Sequence, residues 1–559
     1  MASMCFIPCS LLHYKNYHDR SRQFHIHKPI YSSESKSKVV TVKAATAAEP
    51  VVRRSANYAP SLWSFDHIQS LSSEYTGEDH KARADTLKDT VKMMIPKVGN
   101  PLIIPQLVDD LLRLGISYHF EDEIRNLFEM IYISYYKTHE EWNRMDLNLK
   151  ALGFRLLRQH GYQVPQEIFH NFKDQIQNLK PHLLEDMTGV LNLYEASYHS
   201  FEDESILDEI ILDDFRDFTT KYLKENQDKI DESMSSLVSH ALEVPVHWRV
   251  PRIEAKWFIG VYEKRSDMNP TILDLAKLDF DMVRAVHIED LKHTSRLMEN
   301  FLWTVGYSYL PQFSLGRRNL TKVNAMITTI DDVYDVYGTL DELEQFTDVI
   351  SKWDINAIEE LPDYMKICFL GLYNTWADLC KSYLVEARWY NSGYTPTLEE
   401  YLENASVSIS SPLVLMHIKF STSISSTEEI LQWFEESKYI VRHAALIFRL
   451  ADDLGTSSDE MERGDISKSI QCYMHESGAT KDEARRYIKN LIMKTWKKLN
   501  KERANAKSQL LREFIEYAMD IVRMAQFMYG KGDGHGRPNV TKSHVLSLLF
   551  NPIQGYNSQ

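Results

Sequence analysis

Asp331 and Asp335 stand four positions apart in the stretch Asp-Asp-Val-Tyr-Asp that covers residues 331–335. In a helix, residues four apart lie on one face, so both carboxylates would project to the same side. Two such carboxylates can bridge divalent cations, and Mg²⁺ prefers oxygen ligands while it keeps several of its waters. The spacing therefore predicts a metal site, and the alternative is a helix end at the surface.

The same spacing occurs a second time, from Asp213 to Asp217. Charged side chains surround this second copy, whereas residues 324–330, which precede Asp331, carry no charge at all. Carboxylates at the end of an apolar helix need a compensating charge, and a bound metal supplies one. We therefore expect the metal at Asp331, and we expect the Asp213 copy to be a solvated helix face.

Asp452, Thr456 and Glu460 form a second stripe of oxygen ligands, spaced i, i+4 and i+8 after the largely apolar run 443–451. A carboxylate, a hydroxyl and another carboxylate can hold one cation through oxygen alone. Asp453 is also acidic, but helix geometry turns it about 100° away from that stripe. Two acidic stripes on apolar helices can face each other across a cavity, where a phosphate-bearing substrate would complete the metal shells.

Two basic residues flank the second stripe. Arg449 lies one helical turn before Asp452, and Lys468 lies two turns after Glu460. Both could hold the same anion through charge-assisted hydrogen bonds. For each of them, an exposed solubilising charge is the alternative.

The elements that must position these residues are predicted to be helices. The 20 glycines and 18 prolines among 559 residues fall well below the average usage of about 12% for the pair, which favours long helices over hairpins. In residues 107–116, apolar side chains recur at the spacing of an α-helix, and they do so again in 122–136 and 147–158. Strand-like alternation is scarce. We therefore predict an all-α protein.

Length and charge limit the classes of function. A chain of 559 residues and 65.3 kDa exceeds one ordinary core, so two domains are expected. Loop signals at 265–270, followed by a new helical pattern at 272–278, mark the boundary. The net charge of -15 argues against a nucleic-acid partner, and no apolar run is long enough to span a bilayer. Five scattered cysteines without a C-x-x-C pair fit a reducing compartment.

Residues 1–52 differ from the rest of the chain. They carry seven basic against three acidic residues, a net charge of +4, and serine recurs between residues 10 and 37. Such a composition is typical of an organellar transit peptide. The alternative is an ordinary disordered N-terminus.

Three stretches, in this order along the chain, resemble motifs of one family. Arg53-Arg54, followed after eight residues by Trp63, resembles the tandem-arginine motif of plant monoterpene synthases. Residues 331–335 look like the aspartate-rich motif of class I terpene synthases, and residues 450–460 look like their second metal motif. The resemblance covers nearly the whole chain from Arg53 onward. It implies an N-terminal α-helical barrel domain at 53–265 and a C-terminal catalytic helical bundle at 266–559.

The resemblance also implies a chemistry and its residues. Three Mg²⁺ or Mn²⁺ ions would bind with a prenyl diphosphate, and metals neutralise the leaving group as its C–O bond breaks. A dry aromatic pocket would then stabilise the carbocation until it cyclises or is quenched to a monoterpene. The implied roles are metal binding for Asp331, Asp335, Asp452, Thr456 and Glu460, diphosphate binding for Arg449 and Lys468, a pocket aromatic for Trp303, a closing C-terminal loop for Tyr529 and Asp533, and an N-terminal lid for Arg53, Arg54 and Trp63.

The resemblance further implies geranyl diphosphate as the small-molecule substrate and the plastid stroma as the location. It implies no nucleic-acid or membrane partner, and a monomer or weak homodimer. In the C-terminal loop, His535 stands where the family often has tyrosine.

Two junctions look short against the family pattern. The segment that ends at Arg296 runs directly into Leu297, so the arginine pair of the family is either absent or reduced to Arg296. In the second case we assign Arg296 to the diphosphate. Thr375 joins Trp376 directly, where the family has a further helical segment. Both look like internal deletions. The junctions leave a catalytically impaired relic of the family as one alternative. A second alternative, independent of the junctions, is a sesquiterpene synthase that uses farnesyl diphosphate. The leader and the Arg53–Trp63 motif argue against the second.

Overall fold

The computed structural model describes residues 62–95, 104–133, 145–170, 172, 186–202, 204, 211–294, 298–351, 363–422, 427–462 and 466–553. Within these ranges the chain is helical and forms no β-strand, apart from an isolated bridge between Gly530 and Gly532. The predicted all-α class is confirmed. In the same ranges, no helix combines the length and the apolar character needed to cross a membrane.

The N-terminal half contains nine α-helices within its described residues. Their bounds are α1 Phe65–Ser70, α2 Glu78–Met94, α3 Ile104–Arg113, α4 Glu121–Ile131, α5 Leu147–Gln159, α6 Met187–Ser197, α7 Ile211–Asn226, α8 Glu232–Glu243 and α9 Pro251–Tyr262.

The described C-terminal half contains twelve more. Their bounds are α10 Pro270–Thr294, α11 Met298–Tyr307, α12 Ser314–Asp332, α13 Leu340–Ser351, α14 Asp363–Ser392, α15 Leu398–Ser408, α16 Ser411–Thr422, α17 Thr427–Glu462, α18 Ser469–Ser477, α19 Lys481–Asn505, α20 Gln509–Tyr529 and α21 Pro538–Val545.

Local chemistry fixes the start of α10, where the sequence predicted a loop and a new helix. Asn269 Oδ1 accepts hydrogen bonds from the backbone N–H groups of Thr271 and Ile272, at 3.0 and 3.2 Å. Such side-chain caps satisfy N–H groups that the first helical turn leaves unpaired. Pro270, which lacks an N–H, suits the first helical position.

The C-terminal helices form one bundle. The 36-residue α17 packs against α15, α16, α18, α19 and α20, while α12 packs against α10, α11 and α16. Because α12 and α17 both pack against α16, the two helices that carry the acidic stripes belong to the same core.

The two halves of the chain meet along α19. Trp496 stacks on Trp248 with ring centroids 5.5 Å apart, and His247 Nε2 lies 2.8 Å from Asn500 Oδ1. Lys497 forms an ion pair with Asp213. The prediction that the Asp213 copy is only a solvated face was therefore wrong for Asp213 itself, because that side chain is half-buried at this contact.

The aspartate-rich stretch also departs from a regular helix. Helix α12 ends at Asp332, and residues 333–337 form a π-helical turn that the Gly338 N–H closes onto the Val333 carbonyl oxygen at 2.8 Å. The prediction placed Asp335 one α-helical turn after Asp331, whereas Asp335 lies on this wider turn. Single π turns of this kind recur at functional sites.

Candidate metal and diphosphate site

Asp331 lies half-buried at the end of α12 and meets side chains from three other parts of the bundle. Tyr383 of α14 donates a hydrogen bond to its carboxylate, and the charges of Lys468 and Arg449 act on it. Desolvation is the larger effect and raises the pKa of Asp331 to about 7, with Lys468 opposing it. Burial raises the pKa of a carboxylate when nearby positive charge does not fully compensate for the lost water.

The second stripe lies on α17. Asp452 and Thr456 are both buried, and the Thr456 hydroxyl donates to the Asp452 carbonyl oxygen at 3.0 Å. The Arg449 guanidinium forms an ion pair with the Asp452 carboxylate. The backbone of Glu460 continues the same helix, whereas its side chain lies outside the described residues.

Asp453 is fully buried and accepts hydrogen bonds from three protein groups. Its Oδ1 accepts from Arg449 Nε at 2.9 Å and from the Tyr401 hydroxyl at 3.0 Å, and its Oδ2 accepts from the Ser469 N–H at 3.1 Å. Three donors leave this carboxylate little capacity for a metal. Asp453 instead fixes the guanidinium of Arg449 beside Asp452.

Lys468 and Arg449 are both buried, at 4% and 7% exposure. The alternative that either is an exposed solubilising charge is therefore wrong. Buried cations need an anionic partner, and both act on Asp331 of the first stripe while Arg449 also pairs with Asp452 of the second. The structure therefore brings the two acidic stripes to one basic centre.

Three aromatic rings pack together next to Arg449. Trp303 of α11 stacks on Phe448 with centroids 5.0 Å apart and planes inclined by 15°, and it lies 5.9 Å from Tyr529. Gly455 permits this arrangement, because a Cβ added there would lie 2.6 Å from the Tyr529 carbonyl oxygen. The second acidic stripe and the end of α20 are thus in direct backbone contact.

The loop after Tyr529 is ordered by Asp533. Its Oδ1 accepts from the N–H groups of His535 and Gly536, at 3.1 and 2.7 Å. His535 is close enough to Glu299 and Asp332 for their charges to act on it, although desolvation dominates and lowers its pKa. The loop therefore lies near Asp332, which directly follows Asp331 at the end of α12.

The remaining predicted residues are only partly visible. Arg53, Arg54 and Arg296 lie outside the described residues. Trp63 is buried and stacks on Phe550, with centroids 5.2 Å apart and planes inclined by 28°. The start of the described chain therefore packs against its C-terminal end.

Two residues that the sequence analysis missed lie at the same place. Tyr383 contacts Asp331, and Glu386, one turn further along α14, acts on both of them through its charge. Glu386 is 5% exposed, and its Oε1 accepts from the Ser408 hydroxyl at 2.5 Å. A cavity of about 190 Å³ opens beside Glu386 and Asp335. A lone acid one turn after a tyrosine, in an otherwise apolar stretch of α14, was the available signal.

The donor atoms here fit hard divalent cations. Carboxylates and a hydroxyl supply only oxygen, which is the preference of Mg²⁺, and a cation beside Asp331 would favour the charged form of that carboxylate, which desolvation disfavours. Among the described side chains, no three His, Cys, Asp or Glu residues form a ready-made metal cage. Mg²⁺ usually keeps several waters and binds substrate phosphate beside one or two carboxylates, so water and a phosphate-bearing substrate would complete the coordination.

Comparison with protein families gives two matches that together cover most of the chain. Residues 62–242 match the N-terminal domain of terpene synthases, and residues 285–376 and 372–498 match the metal binding domain of the terpene synthase family.

Two relatives are R-linalool synthases of Artemisia annua that are described as chloroplastic. One is 63% identical and covers 94% of this chain and 99% of its own length; the other is 62% identical and covers 99% and 100%. The alignment with the second relative is 595 positions long, whereas this chain has 559 residues. At least 36 positions of that alignment therefore hold a residue of the relative and a gap in this chain. The metal binding model matches in two pieces that meet at 372–376, where the sequence predicted a short junction.

Solved structures of terpene synthases also resemble this chain. A limonene synthase with 2-fluorolinalyl diphosphate superimposes with a TM-score of 0.81 at 41% identity, over 90% of this chain and all of that one. An isoprene synthase of grey poplar with three Mg²⁺ ions and dimethylallyl-S-thiolodiphosphate gives 0.75 at 37% identity, over 89% of this chain and all of that one. By sequence and by fold, the chain belongs to the terpene synthase family.

Proposed function

We propose that the protein is a monoterpene synthase that ionises geranyl diphosphate with divalent metal ions and releases diphosphate. The observation that carries the proposal is the meeting of Asp331, Arg449, Asp452 and Lys468 at one buried centre. The names of the Artemisia relatives, both R-linalool synthases, support a ten-carbon substrate. The grey poplar structure with three Mg²⁺ ions supports three ions per subunit, with Mn²⁺ as a second usable metal.

Each side chain has a distinct task in this proposal. Asp331 and Asp335 hold metal from one side, and Asp452, Thr456 and Glu460 hold it from the other. Glu386 adds negative charge beside Asp331. Once bound, the ions neutralise the diphosphate as its bond to carbon breaks. Positioning of the diphosphate is the task of Arg449 and Lys468, with Arg296 as a further contact.

The buried position of the two basic residues matters for the chemistry. Because Arg449 is fixed by Asp453 and Lys468 is buried, their charges are oriented before substrate arrives. Preorganised charge of this kind stabilises the developing anion without reorganisation during the reaction. Trp303 and Tyr529 then face the carbocation, which aromatic rings attract and do not trap. Asp533 and its loop, together with the Arg53, Arg54 and Trp63 segment, exclude water.

The organisation around this site follows the same proposal. Residues 1–52 direct the protein to the plastid stroma, 53–265 form the N-terminal domain and 266–559 form the catalytic domain. The chloroplastic description of the two relatives and the two family matches on either side of residue 265 support this division. The protein acts as a monomer or weak homodimer. Neither the relic nor the sesquiterpene alternative gains support from the relatives.

Substrate choice provides the test. The protein from residue 53 onward is incubated with Mg²⁺ and either geranyl or farnesyl diphosphate, and volatile products are quantified by gas chromatography. We expect monoterpenes from geranyl diphosphate at a rate at least tenfold above any product from farnesyl diphosphate. The reverse preference, or no product from either, would contradict the proposal.

A further inference from the structure

A cluster of four basic side chains lies where the two halves of the chain meet. Arg155 of α5, His199 after α6 and His247 of the short 3-10 helix Val246–Trp248 belong to the N-terminal half, and Arg503 of α19 belongs to the C-terminal half. The two imidazole rings have centroids 4.0 Å apart, and the charges of both arginines act on both rings. We call these four residues the basic junction.

Each residue of the basic junction has a buried nitrogen without a hydrogen-bond partner among the described residues. These atoms are Arg155 Nε, His199 Nε2, His247 Nδ1 and Arg503 Nη1. Folded proteins leave few buried polar atoms unpaired, and such atoms often mark a bound water or ion. Four of them on residues that lie together therefore point to a ligand.

The hydrogen-bonding roles of these nitrogens favour a ligand that accepts. The Asn500 amide nitrogen donates to the carbonyl oxygens of Tyr198 and Ser200, at 3.0 and 3.3 Å, so its Oδ1 accepts from His247 Nε2 at 2.8 Å. A neutral His247 then keeps Nδ1 as an acceptor, whereas the arginine nitrogens only donate and His199 Nε2 is able to donate. The basic junction thus offers three donors and one acceptor. One water has only two lone pairs, whereas an anion accepts from all three donors.

The carboxylates that pair with the two arginines contact other nitrogens. Asp109 Oδ1 accepts from Arg155 Nη2 at 2.6 Å, and Glu516 pairs with Arg503 through Nη2. The Nε of one guanidinium and the Nη1 of the other are therefore left for the ligand.

Positive charge dominates at the two histidines. Desolvation lowers both of their pKa values, and the charges of Arg155 and Arg503 lower them further. Among the acids beside these arginines, burial raises the pKa of Glu195 to about 7 and that of Asp520 to about 6. Both acids are therefore less able to balance the arginines at neutral pH. Buried positive charge of this kind is stabilised by an anion.

We propose that a small inorganic anion, of about the size of chloride, binds to Arg155, His199 and Arg503 and links the two halves of the protein. His247 Nδ1 accepts from a water beside the anion. The inference goes beyond the proposed function, because it uses none of the residues that we assign to metal, diphosphate or hydrocarbon. An anion that binds only the folded protein raises its stability by mass action.

Bromide locates the site directly, because it replaces chloride and scatters anomalously. Crystals of the full chain are soaked in sodium bromide, and data are collected at the bromine absorption edge. We expect an anomalous peak within hydrogen-bond distance of Arg155 Nε and Arg503 Nη1. Ordered waters without bromide, or a dry junction, would overturn the proposal.

Thermal unfolding tests whether the anion stabilises the protein in solution. The unfolding temperature is measured in sodium chloride and in sodium gluconate at equal ionic strength, because gluconate is too large for a chloride site. The difference between the two salts should be smaller in Arg503→Gln than in the wild type by at least about 1 °C. This comparison between proteins cancels the general effect of each salt on stability.

Arg388→Gln is the matched control, because exposed Arg388 pairs with Glu344 much as Arg503 pairs with Glu516. It should keep the wild-type difference between the salts. His199→Phe, which keeps a ring and removes the donor, should reduce the difference and decides the matter if Arg503→Gln does not fold. A wild-type difference in His199→Phe, or an equal reduction in Arg388→Gln, would overturn the proposal, as would a bromide peak without any chloride effect on the wild type.

Discussion

Lys497 Nζ lies 2.6 Å from Asp213 Oδ2, and this ion pair joins residues 284 positions apart in the sequence. It gives the second Asp-Asp-x-x-Asp copy a role in holding α19 against α7. Asp214 and Asp217, the other two acids of that copy, are exposed. The same spacing of acids therefore has two uses in this chain. At Asp213 it contributes to the contact between α7 and α19, and at Asp331, in our proposal, it binds metal.

Substitution of the two copies should separate these roles. Asp213→Asn should keep turnover within about threefold and cost about 1 kcal/mol or less, because the pair is partly exposed to water. Asp331→Asn should reduce turnover by about 10³ or more, since metal-assisted charge neutralisation supplies several kcal/mol. Diphosphate release and thermal unfolding measure the two effects. Equal losses of turnover in both variants would contradict the assignment.

The neighbouring acids Asp452 and Asp453 should behave differently. Asp452→Asn should raise the Mg²⁺ concentration needed for half-maximal turnover. Asp453→Asn leaves the buried Arg449 without its charge partner at Nε, which should lower stability by about 3 kcal/mol or more. Metal titrations and denaturant unfolding distinguish them. A stronger shift in Mg²⁺ requirement for Asp453→Asn than for Asp452→Asn would show that the ligand was misassigned.

Gly455→Ala should loosen the contact between α17 and α20. The added Cβ would lie 2.6 Å from the Tyr529 carbonyl oxygen, and overpacking of this kind costs about 1–3 kcal/mol. Gly260→Ala is the matched control, because a Cβ there meets nothing within 4 Å and alanine gains about 0.5–1 kcal/mol in a helix. Thermal unfolding should therefore shift in opposite directions. A shift in the same direction would refute the predicted clash.

Acid should lower the stability of the protein near the contact between the two halves, where His247 lies against Asn500. His199 and His247 are buried with ring centroids 4.0 Å apart, and desolvation holds both pKa values well below the ordinary range. Below about pH 6.5 the unfolded chain takes up protons that the folded protein excludes, so stability falls as pH falls. His247→Gln should reduce this slope by up to about 1.4 kcal/mol per pH unit. His475→Gln, at an exposed position, should not change it.

The sequence predicted the helices and both acidic stripes because periodicity and ligand spacing are local properties. Asp452 and Thr456 lie on one helix, as their spacing predicts. The loop before α10 lies where turn-forming residues cluster in the sequence. Tyr383 and Glu386 were missed, since their contact with Asp331 depends on how α14 packs. The ion pair of Asp213 was missed for the same reason. The π turn at Asp335 depends on a backbone hydrogen bond to Val333 that no residue pattern specifies.

The most direct test of the central claim is a crystal structure with Mn²⁺ and inorganic diphosphate, with the metal located by anomalous scattering. The account predicts ions that link the two stripes through the diphosphate, with Asp331 and Asp335 on one side and Asp452, Thr456 and Glu460 on the other. It also predicts contacts from Arg449 and Lys468 to the anion. Metal on only one stripe, metal at residues 213–217, or diphosphate bound away from both stripes would contradict it.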